Sequence, residues 1–481
     1  MSLTGALSNA LSGMTANSRA ASLVSANIAN ALTDGYGRRE LVTSPSQVGH
    51  GGVMVNGVLR HGDPVVLSDR RQSDAGLGFA DGLQSYATWA ERTIGAADDP
   101  GSLTGQIAAF ENALITAASN PSSTARLETV ARSADAIAQT LNTLSGAVQG
   151  KREEADRTIA RQVDTINTTL RQVEDLNTQI ARTVRLGRDA SSLMDSRQRA
   201  IDGISDMIPL RSVAREDGVV ALFSTGGTVL LDGSATQLDF SPTPVIAPHM
   251  TQSGGLLSGI TINGRPVDSS GNGPLSGGAL AAQFQIRDTE GTGLQAQLDG
   301  VARDLIERFG AGGPDATIAP GQPGLFTDAG LAFVPADETG IAGRIALNTA
   351  VDPDTGEVWR LRDGLDAATP GEVGNAALLQ ASHAALGATT VPGSAALDPV
   401  ARGVSGHVAA LTSDVASFRV QTDASVSFAQ AQNLALLELE LGQGVDTDRE
   451  LQMLMQIEQN YAANARVMSV VDEMMQAMLR L

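Results

Sequence analysis

The two ends of this chain share one helical pattern, and that pattern limits what the chain can fold into. Near the N-terminus an apolar or small residue recurs every three or four positions, with one polar exception, along Leu3, Leu7, Ala10, Met14, Asn17, Ala21, Val24, Ile28 and Ala31. The spacing recurs near the C-terminus, along Leu454, Ile457, Tyr461, Asn464, Met468, Val471, Met475 and Met478. This is the contact stripe of a coiled coil, in which a single asparagine sets the register. We therefore predict that the two terminal helices pair; separate packing on a globular core is the alternative.

Local signals predict where these helices end and begin. Thr33, Asp34 and Gly35 predict a helix stop, because glycine readily adopts the left-handed conformation that closes a helix. Thr447 is the predicted N-cap of the last helix, with Glu450 three residues later as in a capping box. The first helix should therefore end in a turn, and the last should begin near residue 447.

A long helical segment lies between the ends. Residues 83–208 read as helix almost throughout, and apolar residues keep a heptad spacing from Leu127 to Val148 and from Ile159 to Val184. A single helix over residues 124–184 would be about 90 Å long at 1.5 Å per residue, which indicates a coiled coil or an elongated bundle. The apolar series that starts at Val404 predicts a partner helix for it, continuing towards Leu441.

The centre of the chain has a different pattern. From Pro209 to about Pro370, turn-forming dipeptides separate short apolar runs, and Asn263-Gly264 is a typical hairpin turn. We predict an α+β, elongated, multi-domain protein whose helical domains are built from both chain termini around a central β-rich insert. The predicted domains are a terminal paired-helix domain (1–45 with 442–481), a helical bundle (46–208 with 371–441) and a β-rich outer domain (209–370).

Composition excludes several classes of protein. The net charge of −20 argues against binding nucleic acid or an anionic membrane surface, since either needs a basic face. No apolar run approaches the 18 residues of a membrane span, so we expect no membrane insertion. Without cysteine the chain has no disulfide and no thiolate site. The opening residues are too polar for the apolar core of a signal peptide, so we expect any export to occur without a cleaved signal.

No motif for catalysis, a cofactor or a metal is found. There is no HExxH, no Walker loop and no complete dinucleotide fingerprint, and no two histidines are four residues apart. Gly403 begins the sequence GVSGH, which lacks the strand–turn–helix setting of a nucleophile elbow. Asp352, Asp354 and Glu357 resemble the start of a calcium loop, but the pattern does not complete and an acidic turn is favoured. We therefore predict a protein that is not an enzyme.

The terminal segments resemble those of bacterial flagellar rod, hook and hook-associated proteins. SANIANALTDGYGRRE (25–40) is similar to their N-terminal signature, and GVDTDRELQMLMQIEQNYAANARVM (444–468) to its C-terminal counterpart. The turn motif of that signature falls here on Asn27, Asn30, Gly35, Tyr36 and Arg38, and Gly37 replaces a common hydroxyl residue. The Gly-Tyr-x-Arg turn, the long helical stretch after residue 83 and the reach of the heptads favour the hook-associated members, at the hook–filament junction.

The resemblance implies a structural role and a set of partners. The terminal stripes would form the assembly interface, disordered in the free monomer and folding on assembly. Expected partners are copies of the chain in a ring, hook protein on one side and a second hook-associated protein on the other. An export chaperone is expected at the C-terminal helix, where Met474, Met475 and Met478 make an adaptable apolar face. The location would be the extracellular flagellum, reached through the flagellar secretion apparatus.

Two alternatives stay open at this point. One is another axial protein, a hook or distal rod component, which should lack the long helical domain at 83–208. The other is an extracellular enzyme or adhesin carried on a helical stalk, with its site in residues 209–370. Circular dichroism of the 83–208 fragment would separate the first alternative from a hook-associated protein. A convergent polar pocket in the central insert would favour the second.

Overall fold

The computed structural model describes residues 3–46, 51–269 and 273–480 and contains eleven α-helices within them. The helices are α1 (Leu3–Ala29), α2 (Pro64–Ile94), α3 (Leu103–Ser119), α4 (Thr124–Arg185), α5 (Ser191–Asp202), α6 (Gly278–Gln285), α7 (Gly291–Arg308), α8 (Arg360–Asp363), α9 (Ala377–Gly387), α10 (Val404–Gly442) and α11 (Thr447–Leu479). One π-helical turn, Ile286–Glu290, joins α6 to α7.

Within the described residues the strands form four small antiparallel sheets. They are β1 (Arg39–Pro45), β2 (Val53–Arg60), β3 (Leu210–Ala214), β4 (Val220–Ser224), β5 (Val229–Asp232), β6 (Ser234–Ala235), β7 (Leu238–Asp239), β8 (Thr261–Ile262), β9 (Arg265–Pro266), β10 (Phe326–Asp328) and β11 (Ile345–Leu347). The sheet orders are β1-β2, β3-β4-β5-β6, β7-β8-β9 and β10-β11. Asn263 and Gly264 have positive φ between β8 and β9, so the predicted hairpin is present. The α+β class with helical termini and a central strand-containing region is confirmed.

Helix α4 is the spine of the molecule, because its two halves belong to two different cores. Its first half, from Leu127 to Ala155, packs in a core shared with α2, α3, α7, α10 and the β10–β11 hairpin. Its second half, from Ile159 to Val173, lies in a second core under the β3–β6 and β7–β9 sheets. The two heptad series therefore lie on the single helix predicted for this region, which has 62 residues.

Aromatic side chains close the first core despite their scarcity. The rings of Phe110, Phe309 and Phe326 lie with their centroids 5.7–6.2 Å apart, in tilted and edge-on arrangements. Such geometry adds about 0.5–1.5 kcal/mol per pair to the burial itself. Helices α3 and α7 and strand β10 thereby meet at one point against α4.

Several helix predictions need correction. The helical region begins at Pro64 instead of residue 83, because Asp63 caps α2 by accepting from the backbone N–H groups of Val65 and Val66. The helical region is interrupted at Gly95, Asn120 and Gly187. Helix α10 packs mainly on α2 and not along α4, since the neighbouring positions on α4 are already covered by α3, α5 and α7.

The central segment is less β-rich than predicted. Residues 278–308 form α6, the π turn and α7, and their apolar residues enter both cores. Turn-forming dipeptides across residues 209–370 favour strands and turns, whereas packing of α6 on α2 and of α7 on α4 stabilises helices here. The predicted limits of the outer domain, 209–370, stay a prediction.

Candidate assembly interface

The two terminal helices pack against each other in antiparallel orientation. Gly13 of α1 lies opposite Asn464 of α11, and Asn27 lies opposite Glu450. A Cβ atom added to Gly13 would lie 2.8 Å from Nδ2 of Asn464. The missing side chain is thus what allows the helices to approach closely at this point.

The predicted stripe residues differ in how far this pairing covers them. Three are buried: Val24, Ile457 and Val471. Eight are partly buried: Leu3, Leu7, Met14, Asn17, Ile28, Leu454, Asn464 and Met468. Three remain exposed: Tyr461, Met475 and Met478. The stripe therefore forms the contact between the helices along its middle, and part of its surface stays uncovered.

A buried polar cluster closes the base of the helix pair. We call it the clasp, and it consists of Asn27, Tyr36, Arg38 and Glu450. Asn27 Nδ2 donates to Glu450 Oε2 (3.0 Å) and to the Arg39 carbonyl (2.9 Å). Asn27 Oδ1 accepts from the Tyr36 hydroxyl (2.9 Å) and from the Arg39 N–H (3.0 Å). All four hydrogen-bonding positions of this fully buried amide are used within the chain.

The charge of Glu450 is compensated within the clasp. Its side chain is 1% exposed, and Oε1 accepts from Arg38 Nε at 2.7 Å. A buried carboxylate is tolerated only when it is paired and hydrogen-bonded, and here a guanidinium and an amide supply both. Burial raises the pKa of Tyr36, while Arg39 lowers it and nearby carboxylates raise it. The hydroxyl therefore stays protonated and able to donate to Asn27.

The structure corrects one prediction about these residues. The N-cap of α11 is Asp446, whose side chain accepts from the N–H groups of Asp448 and Arg449, and Glu450 faces the clasp instead of completing a capping box. The side chain of Asn27 has its four partners within this chain, and Asn30 Nδ2 donates locally to the Ala26 carbonyl. Polar residues in the motif thus hold one subunit together.

A second polar cluster, which the sequence did not reveal, holds the turn after α1 against α5. Asp195 accepts from Arg39 and Arg60, and Gln198 accepts from Arg60. No motif or periodicity marks Asp195, since its partners lie 135 and 156 residues away in sequence.

The helix stop predicted after α1 is present. Gly35 of the turn motif has a left-handed backbone conformation, with φ of 72°.

Removing one hydroxyl from the clasp should measurably loosen the helix pair. We expect Tyr36→Phe to destabilise the pairing of α1 with α11 by about 1 kcal/mol, because Asn27 Oδ1 loses a donor. Amide hydrogen exchange in α1 and α11 would detect it. The matched control is Tyr461→Phe, at a tyrosine that is 43% exposed on α11. Equal exchange in the two variants would contradict this role for Tyr36.

The helix pair leaves a broad apolar surface open. On α11 it comprises Leu451, Met455, Tyr461, Val467, Val470, Met474, Met475, Met478 and Leu479, each more than two-fifths exposed. Tyr461, Met475 and Met478 belong to the stripe, so α1 leaves part of that face uncovered as well as the other sides of α11. Large apolar side chains exposed in this number mark an interaction site.

The described residues contain neither a metal-binding cluster nor a membrane-spanning helix. Within residues 3–46, 51–269 and 273–480, no group of three or more His, Asp or Glu side chains is placed to hold a metal ion. None of the helices in those ranges combines the length and apolar character needed to cross a bilayer. One of the five histidines, His50, lies outside the described residues.

Two family profiles match the chain. Residues 91–324 match the flagellar hook-associated protein FlgK helical domain, which spans α3 to α7 and the sheets between them. Residues 441–481 match the flagellar basal body rod FlgEFG protein C-terminal region, which here contains α11. The two profiles together cover the long helix α4 and one helix of the terminal pair, α11.

Individual proteins are similar over different lengths. Flagellar hook-associated protein 1 of Bacillus subtilis (strain 168) is 24% identical, across 98% of this chain and 96% of its own length. Its counterpart in Salmonella typhimurium is 27% identical across 49% of this chain and 44% of its own length. Among solved structures, the flagellar hook junction protein FlgK of Burkholderia pseudomallei matches 54% of this chain and 46% of its own, with 21% identity and a TM-score of 0.42.

Proposed function

The chain belongs to the family of flagellar hook-associated protein 1, and we propose that it is a structural subunit at the junction between hook and filament. The family is one of structural flagellar proteins. A subunit of this kind acts by fitting two neighbouring lattices with complementary surfaces, and no chemical turnover is required. The resemblance deduced from the terminal motifs is confirmed at the level of the family.

The open apolar surface of the terminal helix pair is the observation that carries an assembly role. Two helices alone bury too little surface to be strongly stable, and α11 exposes apolar side chains along most of its length. Covering such side chains is favourable by about 25 cal/mol for each Å² removed from water. Neighbouring subunits can supply that cover. The stripe residues, Leu3 to Ile28 and Leu454 to Met478, would then be shared between subunits in the assembly.

The proposed partners follow from that surface and from the family. Copies of the chain form a ring through their terminal helices, with hook protein on one side and a second hook-associated protein on the other. Before assembly, a chaperone covers the C-terminal helix, whose exposed methionines adapt readily to another surface. These assignments are supported by the family and by the exposed residues of α11.

The site of action would be the extracellular flagellum. The subunit reaches it through the flagellar secretion apparatus without a cleaved signal, and the terminal helices gain their full stability only when neighbouring copies pack on them. The clasp closes the pair within one chain, but two helices of this length are only marginally stable by themselves. Packing of neighbouring copies supplies the rest of their stability.

Restoration of filaments in a strain lacking this chain would test the proposal. We expect cells without it to carry bare hooks and to release filament subunits into the medium, and cells supplied with it to regain attached filaments. Electron microscopy and quantification of released filament protein are the readouts. Detection of the chain outside the cells serves as the control for its export. If the deletion strain keeps its filaments, the proposed function is wrong.

A further inference from the structure

Helix α5 presents one nearly buried carboxylate to the turn that follows α1. Asp195 is 8% exposed at its side chain, and its Oδ2 accepts from Arg39 Nη2 at 2.6 Å. Its Oδ1 accepts from Arg60 Nε at 2.7 Å and from the Gly37 N–H at 3.1 Å. Charge-assisted bonds of this length are roughly twice as strong as neutral ones. A single side chain of the bundle thus binds three groups of the terminal region.

The turn fits closely onto the same face of α5. Arg60 Nη2 bridges from the Gly35 carbonyl (3.1 Å) to Gln198 Oε1 (2.5 Å). A Cβ on Gly35 would lie 2.7 Å from Cγ of Arg199. The guanidinium of Arg39 also lies 4.9 Å from the centre of the Tyr36 ring. Asp195, Gln198 and Arg199 are spaced three and four residues apart, so they lie on one face of the helix.

A cleft beside this contact separates α1 from the bundle. A cleft of about 690 Å³ lies between α1, the β1–β2 hairpin and the α4–α5 connection, with Leu23, Leu41 and Met194 among its lining residues. Neither hydrophobic core includes a residue from α1 or α11, since both cores lie between Leu83 and Val415. Apolar packing therefore does not fix the angle of the helix pair to the bundle.

We infer that Asp195 is a positioning residue that holds the terminal helix pair at one angle to the bundle. This rests on the proposed function, in which the terminal pair enters an axial lattice. Without the carboxylate, the largely buried guanidinium groups of Arg39 and Arg60 face each other with no counter-charge at that point. Their repulsion favours opening of the cleft and a range of angles. A subunit whose helix pair is already held at one angle loses less conformational entropy when it enters the lattice.

Distance measurements between two spin labels would test the inference. The chain has no cysteine, so Ser18→Cys on α1 and Thr178→Cys on α4 place nitroxides at two exposed positions of the full chain. We expect one narrow distance distribution, which Asp195→Asn broadens. Asp164→Asn, at an exposed aspartate of α4, is the matched control and should leave it narrow. Arg60→Gln removes one of the two arginines that Asp195 binds, so it should also broaden the distance distribution.

Two controls separate positioning from folding and from the function itself. Trp89 and Trp359 both lie outside the terminal pair, so their fluorescence should report the same unfolding midpoint in all variants. In cells, Asp195→Asn should reduce the number of attached filaments while Asp164→Asn retains it. An unchanged distance distribution, or a broadened one with full filament attachment, would overturn the inference. Failure of the unmodified chain to restore filaments would instead refute the proposed function.

Discussion

Subunits lacking residues 1–31 or 446–481 should fail entirely to enter the junction, while the rest of the chain keeps its fold. The reason lies in the distribution of the cores. Both hydrophobic clusters draw their buried residues from between Leu83 and Val415, and the terminal helices pack chiefly on each other. Deleting one helix therefore removes the partner of the other and leaves the cores intact.

The measurement combines folding and incorporation in purified protein. Fluorescence of Trp89 and Trp359 should give a free energy of unfolding within about 1 kcal/mol of the full chain, because no core residue is lost. Incorporation is measured by adding each variant to isolated hooks, which makes the result independent of export. The full chain added in the same way is the positive control. Truncated subunits that still bind at the hook end would show that the terminal helices are not the assembly interface.

Loss of the Asn27 side chain should be the most damaging single substitution in the terminal pair. Asn27→Ala removes four hydrogen bonds in a fully buried position. It leaves the Tyr36 hydroxyl without its acceptor and the Glu450 carboxylate with Arg38 as its remaining clasp partner. Each buried donor or acceptor left without its partner costs about 1–3 kcal/mol, and several such groups are left here. That exceeds the stability expected of two isolated helices, so the pair should separate.

Amide hydrogen exchange on the full-length monomer would show the effect directly. In Asn27→Ala, the amides of α1 and α11 should exchange at the rate of unpaired chain, while those of α4 keep their protection. Asn30→Ala is the matched control, since the Asn30 side chain donates to the neighbouring Ala26 carbonyl and accepts from the Thr33 hydroxyl, both within the same turn. We expect it to cost less than about 1 kcal/mol. Retained protection in both helices of Asn27→Ala would refute the clasp.

Periodicity in the sequence was sufficient for the helical framework. The heptad of residues 127–184 becomes one helix, and the matching stripes at the two ends become a packed pair, because the spacing of apolar residues determines which face of a helix avoids water. The Asn263-Gly264 turn likewise forms the hairpin between β8 and β9, since both residues adopt positive φ without strain.

Partner choice between distant segments came from the fold. The Asn27–Glu450 bond joins residues 423 positions apart, and Arg38–Glu450 spans 412. The residues next to a carboxylate in sequence do not indicate which arginine it will pair with, so sequence spacing predicts a cap for Glu450 and nothing for Asp195. An amphipathic stripe likewise specifies a buried face without specifying its partner, which is why the stripe of α10 predicts packing on α4 whereas the helix packs on α2. Local periodicity thus determines the elements, whereas burial and long-range charge pairing determine how they are joined.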